Sequence, residues 1–101
     1  MSTGSAQVVV RDNSEELRYE LLVDGEVAGE LRYRRRPDAI ALTHTEVSRS
    51  LEGRGLGAQL VQGALDDLMA RGLKIVPICP FVRSYLQRHP EYERLVVERA
   101  R

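Results

Sequence analysis

The stretch that decides the fold runs from residue 47 to residue 61 and reads Val-Ser-Arg-Ser-Leu-Glu-Gly-Arg-Gly-Leu-Gly-Ala-Gln-Leu-Val. Three glycines, Gly53, Gly55 and Gly57, form a turn that leads directly into an apolar segment with helical spacing. Glycine lets backbone N–H groups approach an anion without a side chain in the way. The helix start adds unpaired N–H donors and the positive end of the helix dipole. The sequence therefore predicts a site for a phosphate-sized anion at this turn.

The patterns on either side of the turn predict an α/β (α+β) domain with a mixed, mostly antiparallel sheet. Before the turn, strands are expected at residues 8–10, 17–23, 27–33 and 39–47. Asp24-Gly25 predicts a tight hairpin, because both central positions of a type I′ turn need positive φ. After the turn, a crossover helix capped by Gly72, a buried strand at 73–78 and a C-terminal helix opened by Pro80 are expected.

Two details of these strands bear on the site. Simple alternation along 39–47 places Ile40, Leu42, His44 and Glu46 on one face of the strand. Pro77 cannot donate to a ladder, so the strand at 73–78 is expected to split or end there.

The composition restricts the class of protein. The chain has 101 residues, 43% of them hydrophobic, which fits one globular domain. We expect residues 1–6 to be a flexible tail and residues 7–101 to form the domain. Fifteen basic residues balance fifteen acidic ones, so no net field attracts nucleic acid or an anionic membrane. The basic run between Arg32 and Arg36 is interpreted as an exposed strand end or loop, with a phosphate-steering patch near the glycine turn as the alternative.

The single cysteine, Cys79, permits no internal disulfide and suits the reducing cytoplasm. The N-terminus has no apolar signal-peptide core, and no apolar run approaches the ~20 residues needed to cross a bilayer. No His, Cys and Asp cluster has metal-ligand spacing, so no metal is expected. We therefore expect a cytoplasmic protein.

Three phosphate ligands compete for the glycine turn. A P-loop is excluded, because no Gly-Lys followed by Ser or Thr is present. Gly53, Gly55 and Ala58 match the dinucleotide pattern G-x-G-x-x-A, but the acidic residue expected about 20 positions on is missing. The third ligand is coenzyme A, whose pyrophosphate also suits backbone amides around residues 53–58, here called the cradle.

Five segments of the chain carry a resemblance to a known family. They are His44-Thr45-Glu46-Val47, Gly53-Arg54-Gly55-Leu56-Gly57, Gly72-Leu73-Lys74-Ile75-Val76-Pro77, Cys79-Pro80-Phe81-Val82 and Arg88-His89-Pro90-Glu91-Tyr92. In this order they resemble the acetyl-CoA-dependent N-acetyltransferase (GNAT) superfamily, and within it the small single-domain, YjdJ-type branch. The resemblance covers most of the chain, from about residue 21 to residue 92, and is more specific than a glycine turn alone.

The resemblance implies that acetyl-CoA, or CoA, inserts its pantetheine arm between two splayed strands, here 39–47 and 73–78. The thioester would then lie near Val47, Ile78 and Cys79. The implied cofactor-binding residues are Val47, Arg54, Gly55, Leu56, Gly57, Ala58, Cys79, Pro80 and Phe81. One residue departs from the family signature: Glu52 occupies a place where the family has Gln or Arg. Arg54 or Arg49 is then the candidate for the missing positive charge.

Acetyl transfer needs a proton acceptor, a reactive nucleophile and a donor to the developing oxyanion. Cys79 precedes a helix start, where a thiolate is stabilised, and is either an acyl-accepting nucleophile or a small buried hydrophobe. His44 and Glu46 are two residues apart. Either one of them acts as the base or orients a water in the site, or the two form a pair on the sheet surface. Tyr85 is either the acid that protonates the leaving thiolate or a core aromatic residue.

The expected partners are acetyl-CoA and an amine acceptor of unknown identity, with no nucleic acid, membrane or metal. The acceptor-site helices of larger superfamily members are missing, since residues 12–16 form only a turn. An open acceptor surface of this kind suits a protein side chain or terminus. A non-catalytic CoA-binding or interaction module is the alternative, and a nucleotide-binding domain is a third hypothesis.

Overall fold

The computed structural model describes residues 7–97. Five strands form one sheet in the order β1-β2-β3-β4-β5. Neighbours are antiparallel from β1 to β4, and β5 is parallel to β4. The elements are β1 Val8–Asn13, β2 Arg18–Val23, β3 Glu26–Arg35, β4 Ile40–Val47, α1 Leu56–Ala70, β5 Ile75–Pro77 and α2 Pro80–Arg88, with 3-10 turns at Arg49–Leu51 and Pro90–Leu95. The expected fold class, including the crossover helix, is confirmed.

The termini fall outside this description. The expected tail at residues 1–6 and the last four residues, 98–101, are not described, so the assignment of 7–101 to one domain stays a prediction. Among residues 7–97, no helix is both long enough and apolar enough to cross a membrane.

Local sequence chemistry determines the hairpin and the end of the crossover helix. Asp24 and Gly25 have φ values of 51° and 86°, as a type I′ turn requires. At the C-terminus of α1, Gly72 has a φ of 71°. Its N–H donates to the carbonyl of Met69, and the N–H of Leu73 donates to the carbonyl of Leu68. These bonds form a Schellman cap, so the expected role of Gly72 is confirmed.

The main core lies between the sheet and the two helices. Six residues of α1 are buried at helical spacing: Leu56, Leu60, Val61, Ala64, Leu65 and Leu68. They pack on the strands together with Val82, Tyr85 and Leu86 of α2. Gly63 lets α1 approach β1 closely, since a Cβ built at this glycine would lie 2.7 Å from Cβ of Val10.

A polar cluster fixes the C-terminal end of α1 on the sheet. Tyr19 donates a 2.6 Å hydrogen bond to Asp67, and Arg71 bonds Asp67 at 2.7 Å and Asp12 at 2.6 Å. Tyr33 donates a 2.6 Å bond to Asp12. Burial and this bond raise the pKa of Tyr33 to about 12. The cluster therefore ties the C-terminal part of α1 to β1, β2 and β3.

The pairing of β3 with β4 contains a β-bulge that the sequence analysis did not foresee. Arg32 faces His44, whereas the next residue, Tyr33, faces Leu42, so Thr43 is an extra residue in β4. The extra residue reverses the alternation of side chains beyond it. The prediction that His44 and Glu46 share a face with the core residues of β4 is therefore wrong.

β5 is shorter than expected and ends at Pro77, which confirms the predicted effect of this proline. The ladder between β4 and β5 ends at the pair Leu42–Pro77. The next two amides, of Ile78 and Cys79, both donate to the carbonyl of Leu42, at 3.0 and 2.9 Å. The chain then enters α2 while β4 continues to Val47. A cleft therefore opens between the end of β4 and the start of α2.

The basic run lies at the far end of β3. Arg32, Arg34 and Arg35 belong to this strand and are exposed, which confirms their interpretation as an exposed strand end.

Candidate functional site

A groove of about 440 Å³ follows this cleft along the glycine turn. Its wall is largely apolar and is built by the end of β4, the turn before α1 and one face of α2. The lining residues are Thr45, Val47, Leu51, Glu52, Gly53, Gly55, Leu56, Gly57, Ala58, Phe81 and Arg88. Six of the nine expected cofactor-binding residues are among them, whereas Arg54, Cys79 and Pro80 are not.

The turn presents backbone donors to this groove. Gly53 and Gly55 have φ values of 85° and 73°, which residues with a Cβ rarely adopt. The amides of Leu56, Gly57 and Ala58 belong to the first turn of α1 and have no helical carbonyl four residues earlier. This first turn, which the structure describes completely, contains no acidic residue. The helix N-terminus is therefore suited to an anion.

Gly57 is required by packing. A Cβ at this position would lie 2.9 Å from Cζ of Phe81 and 3.1 Å from Cε2. The ring of Phe81 is 38% exposed and forms part of the groove wall. This close contact sets the N-terminus of α2 directly beside the N-terminus of α1.

The edge of β4 also faces the groove. The N–H of Ser48 donates to the carbonyl of Ala28 at 2.7 Å, and Glu46 pairs with Glu30, so these positions bond toward β3. Because hydrogen-bonding direction alternates along a strand, Thr45 and Val47 direct their backbone amides and carbonyls away from β3. They face the side on which β5 has already ended, and an extended ligand can pair with them there.

Cys79 lies at the closed end of this cleft, behind Thr45. Its side chain is buried, with 3% exposure, and its Sγ lies 3.4 Å from Oγ1 of Thr45. Cys79 is also the residue that precedes the first turn of α2. The sequence analysis did not single out Thr45 as a site residue, because the two residues are 34 positions apart and only the β4 bulge turns Thr45 toward the thiol.

His44 and Glu46 lie on the opposite face of β4. Their side chains are 58% and 70% exposed, and Nε2 of His44 is 3.3 Å from Oε1 of Glu46. Glu46 lines a second groove of about 470 Å³, and Thr45, Val47 and Glu52 line both grooves. The two grooves therefore meet at the end of β4.

Tyr85 is brought to the core rather than to the groove. It is 3% exposed, and its ring stacks on His89 with centroids 4.1 Å apart. Burial, followed by the charge of Asp66, raises the pKa of Tyr85. It is not among the groove-lining residues, and its role as an acid stays a prediction.

The charged lining residues of the first groove are Glu52 and Arg88. The sequence analysis did not identify Arg88. A signal was present, since Arg88 follows Phe81 by seven positions, which places both residues on one face of a helix.

Comparison with known proteins identifies this architecture. The family model of GCN5-related N-acetyl-transferases matches residues 18–95. The chain belongs to this family. The family resemblance inferred from the sequence is thereby confirmed, and the protein is an N-acetyltransferase by family.

Solved acetyltransferase structures share its fold. A GCN5-like protein from Staphylococcus aureus, solved in solution by NMR, superposes with a TM-score of 0.66 at 23% identity, over 88% of this chain and 87% of that one. A ribosomal-protein-alanine N-acetyltransferase from Brucella melitensis biovar Abortus 2308 gives a TM-score of 0.56 at 22% identity, over 80% of this chain and 61% of that one. A search of curated proteins finds no match.

Proposed function

We propose that this N-acetyltransferase transfers an acetyl group from acetyl-CoA to an amine, with the pyrophosphate of CoA held by the turn Gly53–Ala58. One observation carries the proposal. The glycine turn, which has positive φ values, directly precedes α1, and the turn and the start of α1 line a groove. This groove leads to the split between β4 and β5. The groove thus offers backbone donors suited to an anion at one end and room for an extended acyl chain at the other, which matches the two ends of acetyl-CoA.

The pantetheine arm would lie along the exposed edge of β4. Its amides can pair with the backbone of Thr45 and Val47, as an added strand would. The lining by Val47, Leu56 and Phe81 supplies apolar contact for its methyl and methylene groups. Gly57 keeps the cradle shallow, because any side chain there would displace the ring of Phe81.

This placement brings the thioester to Thr45 and Cys79. We assign Cys79 to the chemistry: its sulfur forms a bond to the acetyl carbonyl carbon as the bond from that carbon to the CoA sulfur breaks. The proton of the Cys79 thiol passes to the departing CoA sulfur, which leaves as free CoA. The nitrogen of the neutral acceptor amine then forms a bond to the acetyl carbon as the bond from that carbon to the Cys79 sulfur breaks, and the proton that the nitrogen loses passes to that sulfur and restores the thiol.

The acceptor would enter from the second groove, which shares Thr45 and Val47 with the first. Glu46 lines this second groove and contacts His44. The pair is therefore placed to accept the proton of the incoming ammonium, directly or through water. The groove is open, which suits a protein side chain or a terminus as acceptor.

The test is incubation with acetyl-CoA followed by intact-mass and peptide mass spectrometry. Because Cys79 is the sole cysteine, the proposal predicts one acetyl group on the Cys79 peptide and none on it in Cys79→Ala. Cys79→Ala should still bind CoA with nearly unchanged affinity by calorimetry, because the thiol holds no phosphate. Binding of CoA with neither an adduct nor transfer to amines would contradict the catalytic proposal and favour a CoA-binding module.

A further inference from the structure

We propose that Arg88 is the side chain that binds a phosphate of CoA in this groove, in place of the Gln or Arg that position 52 lacks. This inference rests on the proposed function and concerns the same site. It names a residue that provides the binding charge, which the backbone cradle alone does not supply.

The charges of the groove wall require such a residue. Glu52 lines the groove, and its carboxylate repels a diphosphate rather than donating to it. The amides of α1 contribute partial charges, but a multiply charged ligand next to a carboxylate needs a full positive charge. Arg88 supplies a full positive charge among the lining residues.

The direction of the Arg88 side chain supports this role. Phe81 and Arg88 share one face of α2 two turns apart, and Phe81 contacts Gly57 of the cradle. Nη1 of Arg88 donates to Oγ of Ser84 at 3.1 Å, so the guanidinium leans back along α2 toward Phe81. This orientation carries the charge toward the cradle.

The guanidinium also keeps donors for a ligand. Its contact with Ser84 is to a neutral hydroxyl and uses one of five N–H groups. Arg88 is exposed, so a phosphate can reach it without rearrangement of the core. A planar guanidinium can bind two phosphate oxygens at once.

The two arginines suggested by the sequence are less well placed. Arg54 lies in the turn but is not among the groove-lining residues. Arg49 lines the second groove, on the other side of the end of β4. The geometry therefore favours α2 over the turn as the source of the charge.

The experiment is calorimetric titration of CoA into the wild type, Arg88→Gln and the matched control Arg83→Gln. Arg83 is an exposed residue of the same helix that does not line the groove, so both variants lose the same charge from α2. We expect Arg88→Gln to bind CoA about tenfold or more weakly and Arg83→Gln to bind it within about twofold of the wild type. Far-UV circular dichroism of both variants checks that α2 is intact.

A second titration, with dephospho-CoA, identifies the phosphate. If Arg88→Gln weakens CoA but not dephospho-CoA, Arg88 binds the 3′-phosphate; if it weakens both equally, Arg88 binds the diphosphate. If the wild type binds CoA and Arg88→Gln binds it as tightly as Arg83→Gln does, the inference is wrong while the proposed function stands. If the wild type fails to bind CoA, the proposed function itself fails.

Discussion

Gly55 is the position where a single substitution tests the anion site most sharply. It directly precedes α1, has a φ of 73°, and has open space where a Cβ would project. Gly55→Asp therefore adds a carboxylate at the cradle without a clash among the described residues. We expect the variant to fold and to bind CoA much more weakly.

The expected loss follows from two electrostatic terms. Two unit charges 4 Å apart interact by about 1 kcal/mol in water, so a doubly charged diphosphate is repelled by about 2 kcal/mol. The new carboxylate also offsets the dipole of α1, which contributes about 0.3–1 kcal/mol to anion binding. The sum of about 2–3 kcal/mol corresponds to a loss of affinity of about 30- to 150-fold.

The assay is calorimetric titration of CoA at low and high salt, with two controls. Gly55→Ala introduces the backbone strain without the charge, and we expect it to retain most of the affinity. Gly25→Asp places a charge at another positive-φ glycine, in the hairpin, and should bind as the wild type does. Most of the loss in Gly55→Asp should vanish near 1 M salt, where the screening length is about 3 Å. Equal affinities for Gly55→Asp and Gly55→Ala would refute the reasoning.

Two further predictions concern stability. Hydrogen bonds from Asn13 and Arg18 lower the pKa of the buried Glu20 from its ordinary value of 4.5, although burial raises it. The ionised carboxylate therefore stabilises the fold above pH 4.5, and this stabilisation is lost as the pH falls through the lower pKa that Glu20 has in the folded protein. Glu20→Gln should cost about 1.5–3 kcal/mol at pH 7 and less near pH 3, measured by urea unfolding, and a cost independent of pH would be the contrary result. Gly63→Ala should lower the free energy of unfolding by about 1–3 kcal/mol, because its methyl group overlaps Val10; a raised melting temperature would show that helix propensity outweighs this overlap.

Local chemistry made much of the fold predictable. Asp24-Gly25 determines its turn by backbone conformation, and Gly72 and Pro80 mark a helix end and a helix start by the same kind of preference. The six buried positions of α1 recur at helical spacing, so the crossover helix could be recognised without knowledge of its partners. The glycine turn and the helix start that follows it were predictable for the same reason, since backbone conformation there is a property of the segment itself.

The details that depend on tertiary pairing could not be predicted. No glycine or proline marks the bulge at Thr43, which exists only because β3 pairs out of step with β4. Simple alternation without the bulge puts His44 and Glu46 on one face of β4 with Ile40 and Leu42, and puts Thr45 on the other face. The contribution of Arg88 to the groove likewise depends on how α2 packs beside α1; its spacing from Phe81 indicates only that the two residues share a helix face.

The central claim is that the backbone amides at the start of α1 bind the diphosphate of CoA. The most direct test is a ¹H–¹⁵N correlation spectrum recorded during titration with CoA and, separately, with adenosine, which lacks phosphate. The account predicts that CoA causes large, saturable shifts of the amide signals of Leu56, Gly57 and Ala58 and that adenosine does not. Saturable CoA binding that leaves these three amides unshifted would contradict it.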